Sequence, residues 1–352
     1  MLPEAVYPDL SQVRFHTDLP WFVDAIVRWD SLHYLSIAQH GYSVGENQWD
    51  TNTPFFPLYP WLMRLLGGWT GEQGLILAGL LLSNLAFFAA MVLLYKLVAE
   101  ITEPIIAQRS ILYLALFPTS FFFSSLYAES LFLFVVVAFF YMLRCKNWWV
   151  AGLFGGLATL TRGPGVLLAL VFTWEYMRSL KWSVRQVRWP LFAVMLVPTA
   201  LAVLFIVQWR QAGDPLAVSN ALGMWRTTAD GPLEGLRLVF WGLASRTNLP
   251  GFGLIFPASM TLLFIAAGIR TKSQPSSWQV WFWSYFITVV VLSNAVTTPF
   301  YSAIRFYLAV FPAFVVFAQW GAAPVFHRTY LTVSSFFLLL STILFSRWYW
   351  VA

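Results

Sequence analysis

One stretch near the start of the chain carries the residues best suited to chemistry. It reads RWDSLHYLSIAQHGY over residues 28–42 and is followed by NTPFFPLYP over residues 52–60. Asp30 lies between Trp29 and Ser31. A segment this polar, aromatic and irregular, placed just before a long and nearly continuous apolar sequence, has little reason to exist for packing alone. We interpret it as a reaction site at the boundary between water and lipid.

Asp30 has the chemistry of a general base. A carboxylate can take the proton from an acceptor hydroxyl as that oxygen attacks, and the neighbouring indole of Trp29 offers a face on which a sugar can stack. The alternative is a loop aspartate, or one that caps a helix starting near Ser31. The local sequence does not decide between these interpretations. Asp50 and Glu46 are second-choice carboxylates.

His33 and the proline-rich turn are the next candidates. If residues 31–39 form a helix, His33 lies one turn from Asp30 and can bind a phosphate or a sugar hydroxyl; the alternative is an ordinary interfacial histidine. Three prolines between positions 54 and 60 exclude a regular helix throughout that segment. The rigid apolar turn, which includes Tyr59 as a candidate substrate contact, either shapes a lipid groove or simply bends the chain.

Three more charged residues stand beside apolar segments: Glu129 in SLYAES, Arg162 in TRG and Arg305 in YSAIRFY. The dipole of a helix favours a carboxylate at its first residue, yet ionisable residues at membrane depth are functional candidates by default. Arginine suits phosphate because its planar fork binds two oxygens, and snorkelling to the interface is the alternative. The sequence contains no Gly-rich phosphate loop and no zinc-binding motif.

The elements that must position these residues are membrane helices. The chain of 352 residues is 59% hydrophobic and 10% charged, whereas soluble domains are about 25% charged. A polytopic helical protein in a bilayer can accommodate that apolar surface. The single cysteine excludes a disulfide framework. The net charge of +6 is spread over short loops, so nucleic acid is not an expected partner.

Apolar runs separated by charged residues or by Pro and Gly predict about ten membrane helices. They cover residues 75–98, 108–124, 128–144, 148–161, 163–178, 190–209, 252–269, 278–296, 303–321 and 330–348. The pair 148–161 and 163–178 predicts two abbreviated helices that meet at Arg162, with a single kinked helix as the alternative. We expect one all-α integral-membrane domain over residues 1–352. Residues 1–74 would form its catalytic loop with re-entrant or interfacial helices, and residues 75–348 its bundle.

The distribution of basic loop residues predicts the orientation. The loop 178–189 alone carries four of them, and an excess of Lys and Arg marks the cytoplasmic side. Residues 1–74, Arg162 and the loop 210–250 then face the extracytoplasmic side, which we expect to be the outside of a bacterial plasma membrane. An N-terminus on that side requires a preceding helix, so either an eleventh, N-terminal helix is missing or the first segment crosses by another route.

The pattern RWDxxHYxxIAxxGY at residues 28–42, followed by FFPLYP at residues 55–60, closely resembles the GPI mannosyltransferase II (PIG-V) family of GT-C glycosyltransferases. Later pieces agree in order: SLYAES at residues 125–130, TRxxG at residues 161–165, and RFY at residues 305–307 followed by Phe311 and Pro312. The first block is specific, whereas the arginine motifs are weak singly. The compact size and short loops are typical of a prokaryotic member.

The resemblance implies a GT-C-like bundle and an enzyme that transfers a sugar, typically mannose, from a polyprenyl- or dolichyl-phosphate donor on the extracytoplasmic or lumenal face. It implies an acidic base at Asp30 and binding of the donor phosphate near the helix ends. Because a lipid phosphate is a good leaving group, one base and cationic stabilisation suffice for an inverting displacement. No cofactor is required, although Asp30 with Glu129 or Asp50 could hold a divalent metal. The acceptor, a glycolipid or glycan, and any protein partner stay open.

Two other functions compete with this one. A transporter or flippase of a lipid-linked solute would place its charged site near the midplane and show internal repeats, whereas the polar groups here lie at helix ends and no repeat is visible. A non-catalytic scaffold would not need the carboxylate of Asp30. Both comparisons favour an enzyme.

Overall fold

A computed structural model of the protein describes residues 17–45, 51–225, 252–293 and 302–351. Glu46, Asp50 and most of the predicted loop 210–250 lie outside the described residues, as does the start of the segment 1–74.

Within the described residues every regular element is a helix. The α-helices are α1 Trp21–Asp24, α2 Ser31–His40, α3 Leu58–Gly67, α4 Gly71–Ala99, α5 Pro104–Ala115, α6 Glu129–Arg144, α7 Trp148–Thr161, α8 Leu168–Ser179, α9 Leu196–Ala212, α10 Ala217–Trp225, α11 Phe252–Arg270, α12 Ser276–Ser293, α13 Ala303–Phe306, α14 Phe311–Trp320 and α15 Pro324–Ser346. Short 3₁₀ segments cover Gly68–Thr70, Ser120–Phe123, Gly163–Leu167, Val184–Gln186, Trp189–Met195, Thr271–Ser273 and Tyr307–Ala309.

Helix α6 lies at the centre of the fold. Its sequence is apolar on all sides, as expected for a helix surrounded by protein or lipid, and all but one of residues 130–140 are buried. It packs against α4 and α7, and α7 in turn packs against α9. Glu129, the first residue of α6, is therefore held inside the molecule.

Helix α4 shows how the outer helices meet lipid. Its residues Leu77, Leu81, Leu85, Phe88 and Val92 are exposed and recur every three or four positions along one face. The exposed face of α4 is thus apolar, which is unfavourable in water but suited to hydrocarbon.

Three helical stretches are long and apolar enough to cross a bilayer: Leu58–Ala99, Trp189–Ala212 and Pro324–Ser346. A fourth is added if the bent pair Ala303–Ala309 and Phe311–Trp320 counts as one broken span. This count covers the described residues only. The total of about ten crossings stays a prediction.

Two of the predicted helices are wrong in their extent. The helix expected over 108–124 ends at Ala115, because Pro118 has no N–H for the carbonyl of Leu114 and disfavours a helical conformation of Phe117. The helix expected over 303–321 is broken into two pieces that meet at 84°. Pro312 lacks an N–H and its ring would clash with the carbonyl of residue 308 in a continuous helix. The break leaves Arg305 on a short element of its own.

The two abbreviated helices predicted around Arg162 are confirmed. Helix α7 ends there because Arg162 is extended, with φ −157° and ψ 143°. The 3₁₀ segment that follows contains Pro164 and leads into α8. Gly165 makes the turn possible, since a Cβ atom at this position would lie 2.4 Å from the backbone carbon of Ala158.

We predict that Gly165→Ala destabilises the protein and displaces Arg162. A methyl group that meets backbone cannot be relieved by a rotamer change, and overpacking of this kind costs about 1–3 kcal/mol. Thermal unfolding in detergent measures the loss. Gly68→Ala is the matched control, because its Cβ would approach only the flexible side chain of Arg64, at 3.3 Å. Equal melting temperatures for the two variants would contradict the prediction.

Candidate active site

Asp30 is placed at the start of α2 by an unusual backbone conformation. The preceding residue, Trp29, has φ 54°, in the left-handed region that non-glycine residues rarely adopt. Asp30 occupies the position of an N-cap but makes no capping hydrogen bond. Its Oδ2 instead accepts a hydrogen bond from Nη1 of Arg305 at 2.6 Å. The carboxylate is therefore turned towards the C-terminal half of the chain.

Four charged side chains meet at this point, and we call Asp30, Glu129, Arg162 and Arg305 the charge cluster. Oε1 of Glu129 lies 2.6 Å from Nη1 of Arg162 and 3.3 Å from Nε of Arg305. Glu129 thus bridges the two arginines, and Arg305 bridges the two carboxylates. The formal charges of the cluster cancel.

The charge cluster is largely shielded from water. The side chain of Glu129 is 3% exposed and that of Arg162 is 14% exposed, and Asp30 and Arg305 fall between them. Charges buried in this way are tolerated only when paired, and removing one partner typically costs about 3–5 kcal/mol. Aromatic rings around the guanidinium of Arg305 add cation–π contacts. These rings belong to Phe122, Tyr127, Phe306 and Trp350, with centroids 5.0–5.6 Å from Cζ.

The hydroxyl of Tyr127 and two backbone positions with positive φ hold Asp30 and Arg305 in place. The hydroxyl of Tyr127 accepts from the amide of Asp30 at 3.2 Å and donates to the carbonyl of Arg28 at 3.0 Å. Ser302, which precedes the short helix α13, has φ 58°. Positive φ angles such as those of Trp29 and Ser302 cost about 1–3 kcal/mol each and persist where the surroundings enforce them. Both members of the Asp30–Arg305 pair are thus presented by a backbone that stores strain.

A cavity of about 550 Å³ opens beside the charge cluster, and we call it the central cavity. Asp30, Arg162 and Arg305 line it, together with Tyr34. Burial and, next, the negative charge of Glu129 raise the pKa of the Tyr34 hydroxyl above its ordinary value, so this group stays protonated. The rest of the lining is mainly apolar and includes Phe55, Phe56, Val166, Leu167, Leu201, Phe205, Val289, Leu292 and Phe306.

The other predicted site residues lie elsewhere. The ring of Trp29 is buried and packs edge-on against Trp348 and Trp350, at centroid distances of 5.8 and 5.7 Å. His33 is buried and stacks on Phe55 at 4.5 Å. The central cavity is lined by none of the three predicted substrate contacts, which are Trp29, His33 and Tyr59.

Tyr59 is fully buried in the interface between α3 and α4. Its hydroxyl donates to the carbonyl of Gly79 at 2.9 Å and bonds Oγ of Ser83 at 2.8 Å. The structure thus gives Tyr59 a packing role, and a contact with substrate stays a prediction.

The cavity-lining residues that sequence reasoning did not select include Tyr34, Phe306 and Trp350. Tyr34 follows Asp30 by four positions, which places both on one face of a helix, and Phe306 adjoins Arg305. These two could have been found from spacing alone. Trp350 stands far along the chain in an aromatic C-terminal sequence, RWYWVA, that carries no motif.

Two further observations concern ligands. Among the described residues no group of three or more His, Cys, Asp or Glu side chains could hold a metal ion. A second cavity, of about 570 Å³, lies beside Arg270, Lys272 and Trp320, and in the described part of the chain no carboxylate lines it. Of the two cavities, the central one offers a base.

The family model that matches this chain is described as mannosyltransferase (PIG-V), and it matches residues 19–206. GPI mannosyltransferase 2 of Cryptococcus neoformans is 32% identical over 151 residues, which are 40% of this chain and 34% of that protein. GPI alpha-1,6-mannosyltransferase 2 of Mus musculus is 31% identical over 149 residues, 40% of this chain and 29% of that protein. The matches thus span about a third of the length of these curated relatives.

Solved structures that are similar over most of the chain include the following one. It is the oligosaccharyltransferase of Archaeoglobus fulgidus, crystallised with zinc and sulfate, at 13% identity and a TM-score of 0.44. The similarity covers 93% of this chain and 48% of that one.

Proposed function

Because this chain belongs to the PIG-V mannosyltransferase family, which matches it over residues 19–206, we propose that it transfers mannose from a polyprenyl- or dolichyl-phosphate donor to a hydroxyl of a lipid-linked or glycan acceptor. Its long apolar helices make it an integral membrane protein. The relatives named above are GPI mannosyltransferases by name; for this chain we propose the broader class of lipid-linked or glycan acceptors.

One observation carries the proposal. The carboxylate of Asp30 lines a cavity that also presents two arginines and an extensive apolar surface. A lipid-phosphate sugar and its acceptor together require a base, an anion-binding group and an apolar surface for the lipid. The apolar residues, among them Phe56 and Phe205, suit the isoprenoid chain of the donor.

In the proposed reaction the acceptor oxygen forms a bond to the anomeric carbon while the bond from that carbon to the phosphate oxygen breaks. Asp30 takes the proton from the acceptor hydroxyl, and the electron pair of the broken bond leaves with the lipid phosphate. Arg162, which among the described residues pairs with Glu129 alone, stabilises the charge that develops on the phosphate. Arg305 holds Asp30 in position. Displacement in one step inverts the anomeric configuration.

A transfer assay tests the proposed function. Purified protein would be given radiolabelled mannose on a polyprenyl phosphate and a panel of glycolipid acceptors, with nucleotide-linked mannose as the comparison donor. We expect label in the acceptor only from the lipid donor, with inversion of the anomeric centre. Transfer from the nucleotide donor alone would overturn the lipid-phosphate assignment. Movement of intact lipid-linked sugar across vesicles without transfer would favour the transporter instead.

We also propose that the central cavity opens to the extracytoplasmic side. The native chain offers a direct test, because its single cysteine, Cys145, is exposed at the end of α6 opposite Glu129. We predict that an impermeant maleimide leaves Cys145 unlabelled in intact cells and labels it after permeabilisation. Ser219→Cys, in a chain with Cys145→Ser, should be labelled in intact cells. The reverse pattern would place Asp30 on the cytoplasmic side and contradict the orientation.

A further inference from the structure

Three tryptophans from the two ends of the described chain form one aromatic group next to the charge cluster. Trp29 contacts Trp348 and Trp350 edge-on, and the guanidinium of Arg28 lies 4.7 Å from the ring of Trp348. Trp350 also packs against Phe122, with 6.4 Å between ring centroids. The C-terminal residues are therefore part of the wall of the site.

Only one of these three indoles lines the central cavity. Trp29 and Trp348 are buried, at 5% and 7% exposure, whereas Trp350 is partly exposed and contributes to the cavity surface with Asp30 and Arg305. Its ring centroid lies 5.1 Å from Cζ of Arg305, the residue that holds the carboxylate. The indole that lines the central cavity beside the base is that of Trp350, not that of Trp29.

We propose that Trp350 forms the sugar subsite of the central cavity and stacks on the hexose of the donor. This inference rests on the proposed function. One face of a hexose carries C–H bonds, which are apolar and slightly positive, and the face of an indole is apolar and slightly negative. Stacked there, the hexose adjoins both Asp30 and the arginines of the charge cluster, as the reaction requires. Trp29 packs against Trp350 and supports its ring, and Trp348 packs in turn against Trp29.

Binding measurements can separate the contribution of the sugar to affinity from that of the lipid phosphate. The affinities of polyprenyl-phosphate mannose and of bare polyprenyl phosphate would be measured for the wild type, Trp350→Leu and Trp350→Phe. We expect the wild type to prefer the sugar-bearing lipid. Trp350→Leu should weaken binding of that lipid about tenfold and leave the bare phosphate unchanged. Trp350→Phe keeps an aromatic face and should retain most of the preference.

A matched control distinguishes stacking from a general loss of packing. Trp148 is also partly exposed, but it packs on Phe172 and Tyr176 at the other end of α7 and lines no part of the central cavity. Trp148→Leu should therefore leave both affinities unchanged. Thermal unfolding of all variants reports any loss of fold.

The inference is overturned if Trp350→Leu keeps the preference for the sugar-bearing lipid, if it weakens both lipids equally, or if the wild type has no preference. These outcomes do not depend on catalysis. If the wild type transfers mannose and Trp350→Leu keeps its preference, the proposed function stands and the subsite is wrong. If the preference depends on Trp350 but no donor supports transfer, the subsite stands and the proposed function fails.

Discussion

Asp30→Asn is expected to lower the turnover of mannose transfer about 100-fold or more. General base catalysis contributes factors of this size, and an amide cannot take the proton from the acceptor hydroxyl. The change keeps the volume of the side chain, and the amide oxygen can still accept the hydrogen bond from Nη1 of Arg305. Binding of the donor should therefore be nearly unchanged. Initial rates at saturating donor and acceptor measure the effect.

Asp24→Asn provides the matched control for this prediction. Asp24 pairs with Arg28 at 2.6 Å, the same distance that separates Asp30 from Arg305, but it does not line the central cavity. Both variants weaken a buried ion pair, so both should unfold at a lower temperature than the wild type. Only Asp30→Asn should lose transfer. If Asp30→Asn retains near wild-type turnover, Asp30 is not the base, and Glu129 or Asp50 takes its place as the candidate.

The sequence was sufficient to select the four members of the charge cluster but not to pair them. Each is a charged residue beside an apolar segment, which is unusual enough to be noticed without a structure. Their pairing depends on tertiary contacts, since Asp30 and Arg305 are 275 positions apart. The sequence therefore suggested the arginines as phosphate ligands, with snorkelling to the interface as the alternative, whereas in the structure each is paired with a carboxylate.

Local patterns also could not show which aromatic side chain faces the cavity. Trp29 adjoins Asp30 in sequence, and adjacency suggested that it shares the site. Its φ of 54° turns the chain so that the carboxylate reaches Arg305, while the indole packs behind Trp350. The left-handed conformation of Trp29 could not be predicted from the sequence, because tryptophan rarely adopts it.

The helix break was predicted where a glycine and a proline stand together, and it was missed where a single proline breaks the helix. The Gly and Pro after Arg162 marked the end of α7 correctly. Pro312 stands within a long apolar run, and hydrophobicity alone made that run look continuous. The break matters because it lets α13 present Arg305 to Asp30 on an element of only four residues.

Replacing the two arginines by lysine is expected to separate their roles. Arg162 pairs with Glu129 and contacts the ring of Phe306, at 4.6 Å, and within the described part of the chain it has no second carboxylate. The remaining N–H groups of its guanidinium are available to a ligand in the cavity. Arg305 is engaged by both carboxylates. We therefore assign the donor phosphate to Arg162 and the positioning of Asp30 to Arg305.

Arg162→Lys should raise the donor KM and lower turnover, together reducing kcat/KM about 10- to 100-fold, because lysine keeps the charge but loses the fork that binds two phosphate oxygens. Arg305→Lys should lower kcat with a smaller change in donor KM, since it loosens the base rather than the phosphate. Arg144→Lys is the control: Arg144 also pairs with a glutamate at 2.6 Å, but at the other end of α6 and half exposed. Steady-state kinetics at limiting donor measure all three variants.

If Arg162→Lys and Arg305→Lys both keep full activity there, neither residue recognises the phosphate. The phosphate site would then have to be sought at Arg28, at His33 or at the basic residues of the loop 210–250, and the hexose subsite at Trp350 would have to be reconsidered with it.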